Sequence, residues 1–274
     1  MKVPLAGVIG HPIGHSRSPR IHKHWLKTHN LRGDYVPLDV APKDLRQVLD
    51  ALPKAGFVGV NLTIPHKEEG LRLCDRLSDR ATRIGAVNTV TFLETGERYG
   101  DNTDGYGFLA NLRAGAPDWS PESGPVAVLG AGGAARAVID ALIEAGARDI
   151  RVTNRTRPRA EALRADFGAR VSVVDWVKAG QLLGEAATVI NTTSLGMEGQ
   201  PPLTLPFRLL RPGTVVTDLV YVPLRTGLLQ AAEEAGCITV DGLGMLLHQA
   251  VPGFERWFGL RPEVDEATRA AAVA

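Results

Sequence analysis

Four short segments carry residue types that do chemistry, at spacings chemistry can use. The first is Asn61-Leu62-Thr63-Ile64-Pro65-His66-Lys67. As a strand it turns Asn61 and Thr63 to one face, sends Leu62 and Ile64 to the core, and ends at Pro65. Lys67 then opens a helical segment near a strand's carboxyl end, where α/β proteins place ligands; it reads also as a solvated surface charge. The second and third are Gly85-Ala86-Val87-Asn88-Thr89 and Asp101-Asn102-Thr103-Asp104-Gly105. As loop chemistry the latter is an ordinary turn or helix start, and as part of a site it supplies a carboxylate able to face Lys67. The fourth is Gly14-His15-Ser16-Arg17-Ser18-Pro19, where Ser18 reads as a helix N-cap followed by proline at the first helical position. Two hydroxyls at a positive helix end also suit a carboxylate, and Ser16 has no capping duty to explain it. Both readings of the serines stand on these residues alone.

A further motif points to a nucleotide. Gly130-Ala131-Gly132-Gly133-Ala134-Ala135 has the form G-x-G-x-x-A, directly after one expected strand and opening a helix. Gly130 permits the tight turn, Gly132 lets backbone N–H groups approach a pyrophosphate, and small Ala135 lets the helix pack closely on its strand. The helix N-terminus then faces the phosphates. An acidic residue about 20 positions on would accept from a ribose 2′-hydroxyl and select NAD. Here stand Asn154-Arg155-Thr156, with Arg159 one turn later. Arginine pairs with a 2′-phosphate and lies flat on adenine, whereas a carboxylate repels that phosphate, so the pattern favours NADP. Without that offset from the glycines, the two arginines would read as surface charges.

The elements that must position these groups fall into two halves. The linker Gly115 to Pro125, rich in Gly, Pro and Ser, divides them. After it PVAVLG, a helix from Ala134 to Ala145 ended by Gly146, and DIRVTN alternate, followed by RVSVVD, ATVINT, TVVTDL, a helical segment Leu224 to Ala235, and CITVDG. Strands alternating with helices imply a parallel, doubly wound sheet. Before the linker PLAGVIG, YVPLDV and FVGVNLTI read as strands separated by helical segments from Pro19 and Pro42, and AVNTVTFLETGERYGDN as a hairpin about Thr95-Gly96. The first half is thus a mixed α/β domain, to which the apolar helical segment Gly244 to Phe258 is expected to return.

Composition narrows the function classes. With 274 residues, 44% apolar and 22% charged, the chain is an ordinary globular mixture. Thirty-one basic residues against 30 acidic ones give a net charge of +1, which removes the usual electrostatic support for nucleic-acid binding. Cys74 and Cys237 form no CxxC or Cys/His cluster, against a disulfide framework or a structural zinc, and a reducing compartment is expected. The first residues show no secretory leader and no apolar run approaches a bilayer span, so neither secretion nor a membrane is expected.

With GHPIGHSRSP, NLTIPHK, GAVNT, NTDG, GAGGAAR, NRT, NTTSLGM, DLVY-P and GLGMLLHQA in this order, the chain resembles the shikimate dehydrogenase family over nearly its whole length. The resemblance implies a substrate domain from residues 1–104 and 243–274, a Rossmann-type NADP domain from 105–242, and a reaction in the cleft between them. It implies that Ser16 and Ser18 hold a substrate carboxylate. Thr63, Lys67, Asn88, Asp104, Tyr221 and Gln249, with Asn61 less specifically, would surround the cyclohexene ring. On the cofactor side it implies the loop 130–135, Asn154, Arg155, Thr156 and Arg159, and less specifically Asp79, Thr192, Ser194, Leu219, Gly242 and Met245. Two residues depart from the family pattern: Leu243, where many relatives are polar, and Leu219, where methionine is frequent.

The implied reaction is reversible hydride transfer between NADPH and the C3 ketone of 3-dehydroshikimate, giving shikimate. Lys67 would be the general acid, with Asp104 holding its ammonium and positioning the substrate hydroxyl. The implied partners are small molecules alone, with neither nucleic acid nor membrane nor metal, in a cytoplasmic monomer or homodimer. A quinate/shikimate dehydrogenase that also uses NAD is the neighbouring alternative, and Thr156 speaks against it. A ligand sensor without turnover is a second, opposed by the presence of both Lys67 and Asp104 and by the lack of a DNA-binding module.

Overall fold

The computed structural model describes residues 3–274, which divide into two compact units: 3–104 with Leu246–Ala274, and Gly105–Met245. In the first, the chain runs β1 (Leu5–Gly10), α1 (Ser18–Thr28), β2 (Asp34–Asp39), α2 (Leu45–Ala51), β3 (Phe57–Leu62), α3 (Lys67–Leu73), β4 (Arg76–Leu77), α4 (Asp79–Ile84), β5 (Thr89–Phe92) and β6 (Arg98–Asp101). These strands form one mixed sheet in the order β2-β1-β3-β5-β6-β4. β1 pairs parallel with both β2 and β3, and β5 runs antiparallel to β3 and β6, so the hairpin read around Gly96 is present. Helix α1 buries Ile21, His22, Trp25 and Leu26, the i, i+3, i+4 stripe of an amphipathic helix.

The chain then enters the second unit through α5 (Asp104–Gly115), followed by β7 (Val126–Leu129), α6 (Gly133–Ala145), β8 (Ile150–Asn154), α7 (Arg157–Phe167), β9 (Val171–Asp175), α8 (Ala179–Glu185), β10 (Thr188–Asn191), β11 (Val215–Asp218), α9 (Gly227–Glu234) and β12 (Ile238–Val240). All neighbours in the sheet β12-β11-β10-β7-β8-β9 are parallel. Every residue of β7, β10 and β11 is buried, as expected of strands covered on both faces. The strand order reverses between β7 and β10, so their carboxyl ends form the topological switch point where such sheets bind ligands. Helix α10 (Leu243–Phe258) begins in this unit and continues into the first, followed by α11 (Glu266–Val273). Trp25 Nε1 donates to Thr268 Oγ1 at 3.1 Å, tying α1 to α11.

Three local expectations are corrected. Strand β3 stops at Leu62, so Thr63 lies beyond it, and Ile64 is 76% exposed instead of facing the core. The ladder ends because the chain turns: the His66 amide donates to the Thr63 carbonyl at 2.8 Å across a cis Ile64–Pro65 bond. Helix α9 begins at Gly227, not near Leu224, because Thr226 Oγ1 caps it by accepting from the Leu229 amide. Ser18 is the first residue of α1 and not its cap; Ser16 Oγ accepts the Ser18 amide at 3.4 Å. The N-cap position is Arg17, and no side chain caps the helix there. Among the described residues no helix is long and apolar enough to cross a membrane.

Candidate active site

In the first unit, α3 opens with Lys67 and α5 opens with Asp104. Lys67 Nζ donates to Asp104 Oδ2 at 2.6 Å, with side chains 31% and 12% exposed. Asp104 Oδ1 accepts from Asn88 Nδ2 at 2.8 Å, so each carboxylate oxygen has its own donor. Asn88 is held from several sides: its Nδ2 is also within donating distance of Thr103 Oγ1 (3.0 Å) and Gln249 Oε1 (3.3 Å), and its Oδ1 accepts the Thr103 amide (2.9 Å). The Lys67 carbonyl accepts the Val87 amide at 2.9 Å, which fastens the start of α3 to the segment that carries Asn88. Buried His66 just before it donates from Nε2 to the Val40 carbonyl at 2.8 Å, and burial pushes its imidazole below its ordinary value.

Two carboxylates in DNTDG were open to pairing with Lys67, and the geometry separates them. Asp101 is buried and held by Arg80 Nε and Nη2 at 2.7 and 2.5 Å and by Ser78 Oγ at 2.7 Å. Burial pushes its carboxyl upward, but the Arg80 and Ser78 hydrogen bonds outweigh that and hold it below the usual range. Asp101 is thus a structural anion and Asp104 the one beside the lysine. Thr103, buried and donating to the Gln249 carbonyl at 2.8 Å, joins the cluster without having been singled out from sequence. Its place between the two aspartates was the available signal.

The first unit therefore gathers Lys67, Asn88, Asp104 and Gln249 through direct hydrogen bonds. Asn61 is buried within the same unit, its Oδ1 accepting from Tyr35 and its Nδ2 donating to the Asn88 carbonyl and Thr89 Oγ1. Ser16 and Ser18 sit at the start of α1, and Thr63 at the turn before Lys67. Asp79 also belongs to this unit, exposed in the first turn of α4, whereas every other candidate cofactor residue lies in the second. Conversely, Tyr221 is the one candidate substrate residue in the second unit.

In the second unit the glycine loop joins β7 to α6 at the switch point. Gly130 has φ +107°, and a Cβ there would lie 2.7 Å from Thr192 Oγ1, so only glycine fits. Thr192 Oγ1 in turn donates to the Leu129 carbonyl at 2.8 Å, joining the ends of β7 and β10. At Gly132 and Gly133 a Cβ would meet nothing within 4 Å, and no side chain caps α6, whose first-turn amides are left to an outside acceptor. Ala131 and Ala134 flank these glycines, and Ala135 is wholly buried against the sheet.

Beyond β8, Asn154 Nδ2 donates to the Thr156 carbonyl at 2.9 Å, shaping the turn that carries Arg155. Arg155 and Arg159 are exposed and enter no ion pair among the described residues, while Arg157 between them is bound to Asp175 and Glu161. Ser194 accepts the Met197 amide through its carbonyl. Leu219 and Met245 pack on one core cluster, and a Cβ at Gly242 would lie 2.4 Å from the Leu219 carbonyl oxygen. Leu243 is fully buried, so the departure from a polar residue there is absorbed as packing.

Residues 8–90 match the family model of the shikimate dehydrogenase substrate binding domain, 118–197 that of shikimate/quinate 5-dehydrogenase, and 242–272 that of the shikimate 5′-dehydrogenase C-terminal domain. A shikimate dehydrogenase (NADP(+)) of Cereibacter sphaeroides is 64% identical over 274 residues, covering 100% of this chain and 98% of its own. The chain belongs to the shikimate dehydrogenase family. A family member from Roseobacter denitrificans, also a shikimate dehydrogenase (NADP(+)), is 60% identical over 99% of this chain and 98% of its own. Among solved structures, the Thermus thermophilus shikimate 5-dehydrogenase in complex with NADP(H) and shikimate aligns with a TM-score of 0.88, 41% identity and 99% coverage of both chains. A Corynebacterium glutamicum quinate dehydrogenase in complex with NAD aligns with a TM-score of 0.91, 34% identity, and coverage of 98% of this chain and 99% of its own. Proteins of this fold are thus named for more than one substrate and are seen with more than one cofactor, so the fold alone does not set either.

Proposed function

We propose that the protein is an NADP-dependent shikimate dehydrogenase, interconverting 3-dehydroshikimate and shikimate. The observation that carries this reading is the Lys67–Asp104 pair, each oxygen of the carboxylate separately held, in a chain whose nucleotide turn offers Arg155 and Arg159 where an NAD site would offer an acid.

The residues present fit a dinucleotide. Open backbone at Gly132 and Gly133 and the uncapped start of α6 suit a pyrophosphate, and the two exposed arginines suit a 2′-phosphate. Thr192, Ser194, Leu219, Gly242 and Met245, with Asn154 and Thr156 and Asp79 from the first unit, are the further residues proposed to hold it. When bound, NADPH supplies the hydride that the ketone carbon accepts. Ser16 and Ser18 hold the substrate carboxylate, while Thr63, Asn88, Tyr221 and Gln249 hydrogen-bond its oxygens. Lys67 donates a proton to the ketone oxygen as negative charge develops there, and takes it back in the reverse direction. Asp104 holds the ammonium in place and accepts from a neighbouring hydroxyl. A site that reads hydroxyls in this way rejects analogues lacking them strongly. The unpaired thiols of Cys74 and Cys237 suit the reducing cytoplasm proposed as its location; a monomer or homodimer is the state proposed.

The test is turnover by the purified protein with shikimate or quinate against NADP or NAD, followed through the near-ultraviolet absorbance of reduced nicotinamide. Shikimate with NADP is expected to give the highest kcat/KM. Quinate with NAD as the better pair would favour the neighbouring enzyme, and binding of shikimate without turnover would favour a sensor.

A further inference from the structure

Tyr35, on β2, is wholly buried and has no place in the chemistry above. Its ring stacks on the His22 imidazole with centroids 3.8 Å apart and planes 5° from parallel, inside an aromatic group that includes Trp257. Neither His22 ring nitrogen has a hydrogen-bond partner among the described residues, so His22 meets the tyrosine as a flat neutral ring. That packing fixes where the phenol hydroxyl points. It donates to Asn61 Oδ1 at 2.7 Å.

From Asn61 the connection continues without a gap. Asn61 Nδ2 donates to Thr89 Oγ1 (3.1 Å) and to the Asn88 carbonyl (3.0 Å), Thr89 Oγ1 donates to Asn88 Oδ1 (2.9 Å), Asn88 Nδ2 donates to Asp104 Oδ1 (2.8 Å), and Asp104 Oδ2 accepts from Lys67 (2.6 Å). Every side chain from Tyr35 to Asp104 in this series is buried, where a satisfied polar network is rigid and a broken one leaves groups unpaired. Both Asn61 amide hydrogens are used within the protein, which makes Asn61 a link in this series.

We infer that Tyr35 is a positioning residue for the reaction, orienting Asn61 and, through it, the asparagine that holds Asp104 beside Lys67. The inference rests on the proposed function.

Tyr35→Phe deletes the hydroxyl and keeps the ring on His22. With shikimate and saturating NADP, kcat falls with KM little changed, lowering kcat/KM roughly 5- to 100-fold, the range expected when buried partners are left unpaired. Asn61→Ser cuts the same series one step further on and lowers kcat in the same way, and in the double variant the two losses do not multiply, because both changes release the same Asn88. Unchanged kcat in Tyr35→Phe, whatever its melting temperature, overturns the inference, and so do kcat losses that multiply in the double variant. A wild-type protein that turns over no shikimate would instead overturn the function on which the inference rests.

Discussion

The Asp104 carboxylate binds Lys67 through one oxygen and Asn88 through the other, at 2.6 and 2.8 Å. The lysine is therefore not a free surface charge: its nitrogen is held at a fixed place by an anion that is itself held. Replacing that anion by an amide keeps the shape and removes the charge. Asp104→Asn is expected to lower kcat by about 10²-fold, the low end of a proton-transfer contribution, and to raise KM for shikimate. Steady-state kinetics with saturating NADP check this, and a variant with wild-type kcat would show the pairing to be incidental.

The two exposed arginines beyond β8 distinguish the cofactors. Arg155→Ala and Arg159→Ala are each expected to weaken NADPH binding about tenfold, as for a lost charge-assisted contact, and to leave NADH affinity nearly unchanged. Fluorescence titration of both cofactors reads the difference directly. Equal losses would mean that the arginines do not read the 2′-phosphate.

Two glycines of one loop should respond differently to alanine. Gly132→Ala places a methyl group in open space, so the melting temperature should hold while NADP affinity drops. Gly130→Ala forces a positive φ and a 2.7 Å approach to Thr192, so stability itself should fall by about 1–3 kcal/mol. Thermal unfolding with and without NADP separates the two effects.

Stability against pH should carry two opposite contributions. Burial lowers His22 from 6.5 to about 3, so its neutral form is required and its stabilisation, complete above pH 6.5, is lost as pH falls toward 3. Burial raises Asp218 from 3.8 to about 6 despite hydrogen bonds from Thr226, Val220 and Asn191, so its contribution is full below 3.8 and lost as pH rises through 6. His22→Phe should flatten the acid limb of the denaturation free energy by up to about 1.4 kcal/mol per pH unit. Asp218→Asn should be more stable than wild type at neutral pH by on the order of 2 kcal/mol, with the gap closing near pH 4. Parallel curves for variant and wild type would contradict either assignment.

The doubly wound second unit was legible because its strands, its helix ends and its glycine turn each limit which residues can stand there. Gly130 is the clearest case, since a positive φ and a close approach both demand it. Pairing across the first unit was less legible. DNTDG offers two carboxylates, and only the fold shows that Arg80 takes Asp101 and leaves Asp104 to Lys67. Alternation in NLTIPHK wrongly buried Ile64, because a turn at Thr63 interrupts the strand before the apolar pattern does. Tyr35 reads from sequence as an ordinary buried strand residue. Its hydroxyl matters through partners 26 positions away, a separation that no local pattern encodes.

The most direct measurement is single-variant kinetics at Lys67. Lys67→Ala is expected to lower kcat for shikimate oxidation by roughly 10² to 10⁴, with the shikimate Kd changed no more than a few-fold. Turnover close to that of the wild type would contradict the account, since the proton would then have moved without the amine.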